Sequence, residues 1–176
     1  SFSHVVLVRT DGGLVAFDSS GRRSGDAVMA SIRGWSDEPI HSIVYTHGHL
    51  DHVGGSPSFA ADAQNRGRPI PRVLGHENVN RRLDRYTMTD GYNRIINLRQ
   101  FGAAPSTRKE GIGAGPSFLP ADTLRTETEF HDQLTETIGG VDFQFRHAKG
   151  ETDYHTWTWF HVHKMISAGD QFIWNF

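Results

Sequence analysis

Three histidines and an aspartate crowd one short segment of the chain. His47, His49, Asp51 and His52 follow the pattern H-x-H-x-D-H. Neutral imidazole nitrogens and carboxylate oxygens are ligands that zinc, iron and manganese all accept. His47 and His49 can turn toward one ion while Asp51 and His52 turn toward a second. The types and spacing of these residues therefore predict a site for two metal ions, in preference to a solvated histidine-rich turn.

The flanking residues predict how this segment is held. Residues 42–46, with the sequence Ser-Ile-Val-Tyr-Thr, are typical of a short buried strand. Gly54, Gly55 and Pro57 follow the segment directly and favour a loop. Loops that leave a rigid strand commonly carry catalytic ligands. We therefore expect this strand to position the metal ligands.

Composition narrows the classes of function. The chain has 176 residues, no cysteine and a net charge of -2. The length suits a single domain over residues 1–176. The small net charge provides no bulk attraction to nucleic acid or to an anionic membrane, so we expect a small-molecule substrate. No apolar run approaches the ~20 residues of a membrane span and no signal peptide is visible, which favours the cytoplasm. Without cysteine, any metal must be held by His, Asp or Glu.

Patterns along the rest of the chain predict strands interleaved with helices, which is typical of an α/β layered domain. Strands are predicted over residues 5–8, 14–17, 43–45, 73–74, 141–145, 156–162 and 165–168, and helices over residues 24–32, 58–64 and 77–88. The turn Asp11-Gly12-Gly13 predicts a hairpin between the first two strands. The first helix is predicted to face inward through Ala27, Val28 and Ser31 and to end at Gly34. The helix over residues 77–88 is predicted to carry an apolar stripe of Val79, Leu83 and Tyr86 at positions i, i+4 and i+7. Residues 102–116, rich in Gly, Pro, Ala and Ser, predict a flexible loop.

Both ends of the chain lie in or beside apolar, strand-like runs. The sequence begins at Ser1 just before such a run and stops at Phe176 just after another. Compact domains usually end in polar sequence instead. We therefore expect a fragment of a longer protein, or a chain completed by a partner segment or by a homo-oligomer. The alternative is a compact variant whose last strand docks internally.

The segment Thr46-His47-Gly48-His49-Leu50-Asp51-His52-Val53-Gly54-Gly55 resembles the signature of the metallo-β-lactamase superfamily. More narrowly, the chain is similar to the alkylsulfatase-like branch of that superfamily. The segments that carry this second resemblance are residues 71–77, 85–86, 91–93, 99–102, 150–157 and 169–174. The resemblance implies an αββα sandwich, of which this chain could contain only a part. It also implies a hydrolase that uses a metal-bound hydroxide on an ester-type substrate, with alkyl sulfate as the class.

The resemblance also implies two further ligands. Glu151 is expected to join His47 and His49 at the first metal, although it could instead be a surface residue beside Lys149. Asp170 is expected to bridge the two metals, although it could be an ordinary turn aspartate. Two divalent ions bring a charge of +4, and Asp51, Glu151 and Asp170 bring -3, so one hydroxide would balance the site. Asp51 and Asp170 are the expected catalytic carboxylates. Zinc is the expected metal, and the carboxylate of Glu151 makes manganese or iron possible.

One ligand that the resemblance implies is absent from this sequence. The superfamily supplies another histidine to the second metal after the bridging aspartate, and no histidine follows His163 here. That ligand comes from sequence outside this chain, from another chain or from an internal histidine. His155 is the internal candidate, either as a ligand or as a residue that supports one. His76 is a further residue expected to line the site.

An anionic substrate also needs a docking group. More than half of the Lys and Arg residues fall between Arg66 and Lys109. Arginine binds sulfate, phosphate and carboxylate in a bidentate manner. Arg94 and Arg99, together with Asn93, are the predicted substrate-binding residues. Arg81 and Arg82 are expected on a solvated helical face.

Two alternatives to hydrolysis remain open at this stage. A mononuclear iron oxygenase of the same fold would need only the first-metal ligands, and the presence of Asp51 and His52 argues against it. A truncated or subunit-like form would bind metal without turnover, which fits the missing histidine and the abrupt chain ends. Nucleic-acid motifs, phosphate-binding glycine loops and serine triads are not found in the sequence.

Overall fold

Nine strands and five α-helices make up the part of the chain that the computed structural model describes, which is residues 3–101 and 117–172. In chain order they are β1 (Val6–Thr10), β2 (Gly13–Phe17), α1 (Gly25–Trp35), β3 (Ile40–Val44), α2 (Leu50–Val53), α3 (Ser56–Asn65), β4 (Arg72–His76), α4 (Asn78–Met88), α5 (Asp90–Phe101), β5 (Thr128–Phe130), β6 (Gln133–Ile138), β7 (Val141–Ala148), β8 (His155–Phe160) and β9 (Met165–Ser167). A 3-10 turn, Gly169–Gln171, follows β9. The predicted loop over residues 102–116 lies outside the described residues.

The strands form two sheets. The first has the order β1-β2-β3-β4-β5 and the second has the order β6-β7-β8-β9. The predicted hairpin is confirmed, since β1 and β2 pair in antiparallel fashion with Val8 opposite Val15. From β2 to β5 the pairing is parallel, so the carboxyl ends of these four strands meet at one edge. The second sheet is antiparallel throughout.

An apolar core fills the space between the two sheets. Phe17, Val44 and Leu74 from the first sheet pack with Phe143 and Phe160 from the second, and all five are buried. The rings of Phe17 and Phe160 meet edge to face with centroids 5.0 Å apart. Burying one such side chain stabilises the fold by about 1.5–3 kcal/mol. This core holds the two sheets, and therefore the loops that leave them, in a fixed relation.

The helices cover the other face of the first sheet. Because strand side chains alternate between faces, Leu14 and Ile43 point toward the helices, where they pack with Met29, Phe59 and Leu83. The predicted apolar stripe of α4 is confirmed, as its members Val79, Leu83 and Tyr86 are buried. Packing of this stripe brings α4 close to the carboxyl end of β3.

The predicted inward face of α1 is wrong at two of its three residues, since only Val28 packs against the core. Ala27 and Ser31 are exposed, while Met29 and Ile32 are buried. The helix also continues past Gly34 and ends at Trp35. The larger apolar side chains determine which face turns inward, because they bury more apolar area than alanine or serine.

Helix, first sheet and second sheet form three successive layers, which correspond to the first three layers of the predicted αββα sandwich. Within the described residues, no α-helix follows β5, so none there provides a fourth layer after the second sheet. Helix α5 was not predicted from the sequence. Across residues 3–101 and 117–172, no helix combines the length and the apolar character needed to cross a membrane.

Candidate metal centre

Three chain segments deliver the predicted ligands to the carboxyl end of β3. The first segment leaves β3 and continues into the single-turn helix α2, which carries Asp51 and His52. The second is the connection between β7 and β8, which carries Glu151. The third is the 3-10 turn after β9, which carries Asp170. Ligands that are far apart in the sequence therefore converge because the two sheets pack face to face.

The first group of candidate ligands consists of His47, His49 and Glu151. Glu151 Oε2 lies 3.1 Å from His47 Nε2 and 2.8 Å from His49 Nδ1. One ligand atom from each of the three residues falls within 4.8 Å of the others, which is close enough for a single metal ion. The hydrogen bond with His47 lowers the pKa of Glu151, against the opposing effect of burial, so this carboxylate is ionised at neutral pH.

The second group consists of His47, His52 and Asp170, again within 4.8 Å of one another. His52 Nε2 lies 3.2 Å from Asp170 Oδ2 and 3.6 Å from Asp51 Oδ2. Asp51 therefore borders this group through His52, although it is not one of the three residues within 4.8 Å. The two groups share His47, so five of the six predicted ligands form one continuous cluster, which Asp51 borders.

Buried Asp18 holds the second group in place, and sequence reasoning missed it. Its Oδ2 accepts a hydrogen bond from His52 Nδ1 at 2.7 Å and another from Thr46 Oγ1 at 2.8 Å. Its Oδ1 accepts from the backbone N–H of Thr46 at 2.8 Å. The backbone of Asp18 has a φ of 62°, a left-handed conformation that aspartate tolerates better than most residues. The available signal was its place directly after β2, which runs parallel to β3.

The Asp18 contact determines which nitrogen of His52 is available to a metal. Because Nδ1 donates to Asp18, the lone pair of the neutral ring lies on Nε2. Nε2 is buried and makes no hydrogen bond of good geometry within the described part of the chain. Burial lowers the pKa of His52, but the carboxylates of Asp18, Asp170 and Asp51 outweigh it and raise this pKa to about 11. The surroundings of Nε2 therefore favour a positive charge there, which a proton or a metal ion can provide, and the donor set fits a divalent cation.

His155 supports Asp170. Its ring is fully buried and stacks on the ring of His47 with centroids 5.0 Å apart. Its Nε2 accepts a hydrogen bond from the backbone N–H of Asp170 at 3.0 Å. Burial, and then the neighbouring His47, lower the pKa of His155 to about 4, so the ring is neutral and can accept this bond at pH 7. Of the two roles that the sequence left open, the geometry favours support of a ligand.

Gly169 allows the third segment to approach the first. Its φ of 49° lies in the left-handed region that favours glycine. A Cβ atom at Gly169 would lie 2.7 Å from Thr46 Cβ, closer than such atoms approach in real structures. At the start of β8, the backbone N–H of Thr156 donates to the carbonyl of Thr46 at 2.7 Å. The chain therefore closes tightly around Thr46, and this closure sets the position of Asp170.

The three predicted substrate-binding residues lie on α5, and Asn93 and Arg94 have local partners. Asn93 donates to Thr89 Oγ1 at 2.9 Å. Arg94 Nη1 lies 3.7 Å from Asp90 Oδ2, and Arg99 is exposed. Within the described residues, none of the three has a contact with the six ligand residues. Their role in binding substrate therefore stays a prediction.

His76 lies in a second cluster of histidines. Its ring centroid is 4.6 Å from that of His147 and 5.8 Å from that of His131. Its Nδ1 accepts a hydrogen bond from the backbone N–H of Asn78 at 3.1 Å, so the proton of the neutral ring is on Nε2. That arrangement suits a structural residue at the start of α4, and the predicted role of His76 at the metal site stays untested.

Comparison with known families and proteins agrees with this geometry. A family model described as the metallo-beta-lactamase superfamily matches residues 1–173. The linear primary-alkylsulfatase of Pseudomonas sp. (strain ATCC 19151) is 35% identical over 134 residues, which covers 70% of this chain and 24% of that protein. The alpha subunit of 2,4-dinitroanisole O-demethylase from Nocardioides sp. (strain JS1661) is 33% identical over 77 residues, which covers 41% of this chain and 20% of that protein. The chain thus spans a quarter or less of the length of these relatives.

Solved structures share the fold. A metallo-beta-lactamase of Cronobacter sakazakii superposes with a TM-score of 0.65 at 18% identity, covering 93% of this chain and 54% of that chain. A double mutant of the sec-alkyl sulfatase PisA1 superposes with a TM-score of 0.59 at 17% identity, covering 94% of this chain and 28% of that chain. Together with the family match, these findings confirm the resemblance on which the fold was predicted. The chain belongs to the metallo-beta-lactamase superfamily and resembles its alkylsulfatase-like branch.

Proposed function

We propose that this chain is a metal-dependent hydrolase of ester-type substrates, with alkyl sulfates as the favoured class. The observation that carries the proposal is the pair of three-residue ligand groups that share His47. Each group combines imidazole nitrogen with carboxylate oxygen, a donor set that suits zinc and accepts manganese or iron. The proposal extends to a binuclear site, with zinc as the first choice of metal.

The buried ligand atoms support a metal role for this cluster. Buried His52 Nε2 faces two carboxylates, and within the described residues it has no well-formed hydrogen bond. A buried polar atom without a partner costs about 1–3 kcal/mol, so a native protein rarely keeps one without a reason. When bound, a pair of divalent ions lowers the pKa of water toward neutrality and stabilises charge on the attacking and leaving oxygens.

The protein residues then divide the remaining work. We assign His47, His49 and Glu151 to hold the first ion, and His52 and Asp170, with Asp51 beside them, to hold the second. Asp18 fixes the tautomer of His52, and His155 fixes the backbone that carries Asp170. Residues that orient ligands in this way commonly change metal affinity as strongly as some ligands do.

Asp51 is our candidate to receive the proton of the attacking water. Its side chain is 41% exposed, which gives solvent a path to its carboxylate. Asp170 is the poorer proton acceptor, because its hydrogen bond with His52 lowers its pKa below the usual aspartate range. An exposed carboxylate can take up a proton from a neighbouring water and return it to bulk water.

The choice of substrate rests on the relatives. The Pseudomonas relative is named as a linear primary-alkylsulfatase. The match covers 70% of this chain but only 24% of that protein. The ligand frame by itself does not select the electrophile, so other esters, lactones and phosphoesters belong in the same assay.

Metal content and turnover, measured on the same samples, test the proposal. We expect about two zinc ions per chain after metal loading, and hydrolysis of an alkyl sulfate that stops on chelation and returns with zinc. His49→Ala should lose the first ion and the activity. His161→Ala, at an exposed histidine outside the cluster, should keep both.

Other outcomes would point to the alternatives. One iron ion with consumption of oxygen would indicate the oxygenase, and bound metal without turnover of any ester would indicate the non-catalytic form. Full activity of His49→Ala, or of the chelated protein, would rule out the mechanism.

A further inference from the structure

Helix α4 presses directly on the ligand segment. Gly48 lies between the ligands His47 and His49. A Cβ atom at Gly48 would lie 3.1 Å from Cβ and Cγ of Arg82, and 3.1 Å from the hydroxyl oxygen of Tyr154. The aliphatic part of Arg82 therefore packs against the backbone that joins two ligands of the first group. The sequence-based expectation of a solvated position is wrong for Arg82, which is only partly exposed.

The charged end of Arg82 has no acidic partner. No carboxylate oxygen in the described residues lies within 4.0 Å of its guanidinium nitrogens, although most other partly buried arginines here have one. The guanidinium carbon lies 4.9 Å from the centroid of the Tyr86 ring. Its Nε is buried and makes no hydrogen bond within the described residues. A partly buried guanidinium with an unused donor has the properties of an anion-binding group.

Arg82 and Tyr86 also border both ligand groups electrostatically. The charge of Arg82 adds to burial and to the charge of His47 in lowering the pKa of His49. The pKa of Tyr86 is raised by burial and, to a smaller extent, by the charge of Asp51. Arg82 and Tyr86, one turn apart on α4, therefore lie within electrostatic range of His49 and Asp51.

We propose that Arg82 is a specificity-determining residue that binds an anionic oxygen of the substrate beside the first ligand group. This inference rests on the proposed function and deepens it, since it selects esters that carry negative charge at the reacting end, such as sulfate or phosphate esters. The Tyr86 ring packs against the guanidinium group, and the guanidinium donates to the anion. Neutral esters make no such contact.

Two substrates that share a leaving group but differ in charge test the assignment. Arg82→Met keeps the aliphatic packing on Gly48 and removes the charge, and Arg81→Met is the control on the exposed neighbour of the same helix. With 4-nitrophenyl sulfate, we expect KM to rise about tenfold or more in Arg82→Met, as for loss of a charge-assisted hydrogen bond. With 4-nitrophenyl acetate, which has the same leaving group, KM and kcat should stay within about twofold of the parent. Arg81→Met should match the parent with both substrates.

A binding measurement separates this inference from the proposed function. Titration of inorganic sulfate and of phosphate into the metal-loaded chain should give an affinity about tenfold weaker in Arg82→Met at unchanged metal content. If the parent hydrolyses no ester but binds sulfate through Arg82, the hydrolase proposal fails and the anion site stands. If the parent is active and Arg82→Met keeps the sulfate affinity and the sulfate-ester KM, the role of Arg82 is overturned.

A second variant guards against a folding defect. Arg82→Gln removes the same charge and places a polar amide group near the position of Arg82 Nε. Circular dichroism and metal content identify whichever variant is folded and loaded, and its sulfate affinity decides. Preference of the parent for phosphate over sulfate would assign the site to phosphoesters, and preference for sulfate would assign it to sulfate esters.

Discussion

Replacement of Asp18 by asparagine should disable the second ligand group while sparing the first. In the native protein, Asp18 Oδ2 accepts from both His52 Nδ1 and Thr46 Oγ1, and Oδ1 accepts from the backbone N–H of Thr46. In Asp18→Asn, the amide oxygen can keep the bond with the backbone, but the NH2 group then faces His52 Nδ1. That nitrogen must become an acceptor, so the proton moves to Nε2 and blocks the lone pair that the metal needs.

The size of this effect follows from the contacts that are lost. Loss of a carboxylate that orients a metal-ligating histidine typically weakens metal binding by about 10–100-fold, which is about 1.4–2.7 kcal/mol. The buried hydrogen bonds to this charged group also stabilise the fold, and we expect the free energy of unfolding to fall by about 1–3 kcal/mol. Asp18→Ala should cost more, because it leaves three buried donors without an acceptor.

The assay is the number of zinc ions bound per chain at controlled free zinc concentrations, set by chelator buffers. The native chain should fill two sites. Asp18→Asn should fill the first as before and the second only at about 10–100-fold higher zinc. Asp37→Asn is the matched control, because Asp37 is 84% exposed and its ion pair with Arg66 lies at the surface. Unchanged affinity for both ions in Asp18→Asn would refute the reasoning about the His52 tautomer.

Three further changes test other parts of the structure. Gly169→Ala introduces a Cβ 2.7 Å from Thr46 Cβ at a φ of 49°. We expect a lower melting temperature, a loss of about 1–3 kcal/mol of stability and weaker metal binding at the second site. Native stability together with native metal binding would contradict the packing. Glu151→Gln should weaken zinc binding at the first site and leave the stability of the fold unchanged. Zinc content per chain, measured by inductively coupled plasma mass spectrometry, checks this. A first site that still fills with zinc would remove Glu151 from the ligand set. Burial raises the pKa of Asp62, but its hydrogen bonds with Arg33 and Arg66 outweigh that effect and lower it below the ordinary value of 3.8. These ion pairs therefore stabilise the fold above that value and lose this contribution as the pH falls through the lowered pKa. Asp62→Asn should cost about 1–2 kcal/mol at pH 7 and less as the pH falls through the lowered pKa; a difference that does not change with pH would exclude the ion pairs as the cause.

Local patterns in the sequence predicted much of the fold correctly. The turn Asp11-Gly12-Gly13 predicted the β1–β2 hairpin, and the spacing of Val79, Leu83 and Tyr86 predicted the buried stripe of α4. These features depend on residues within one or two turns of each other, so backbone preference and apolar periodicity are sufficient to specify them. The prediction for α1 was wrong at Ala27 and Ser31, because these small side chains bury little apolar area and so do not determine which face turns inward.

The sequence also determined the chemistry of the candidate site, through the crowding of His47, His49, Asp51 and His52 on one segment after a strand. Imidazole and carboxylate side chains at that spacing have few chemical roles other than binding metal ions. Only the tertiary structure decided which distant residues join them, because Asp18 and Arg82 meet this segment through sheet pairing and helix packing across the fold. Such contacts depend on how elements pack in three dimensions, and a pattern confined to neighbours in the chain carries no record of them.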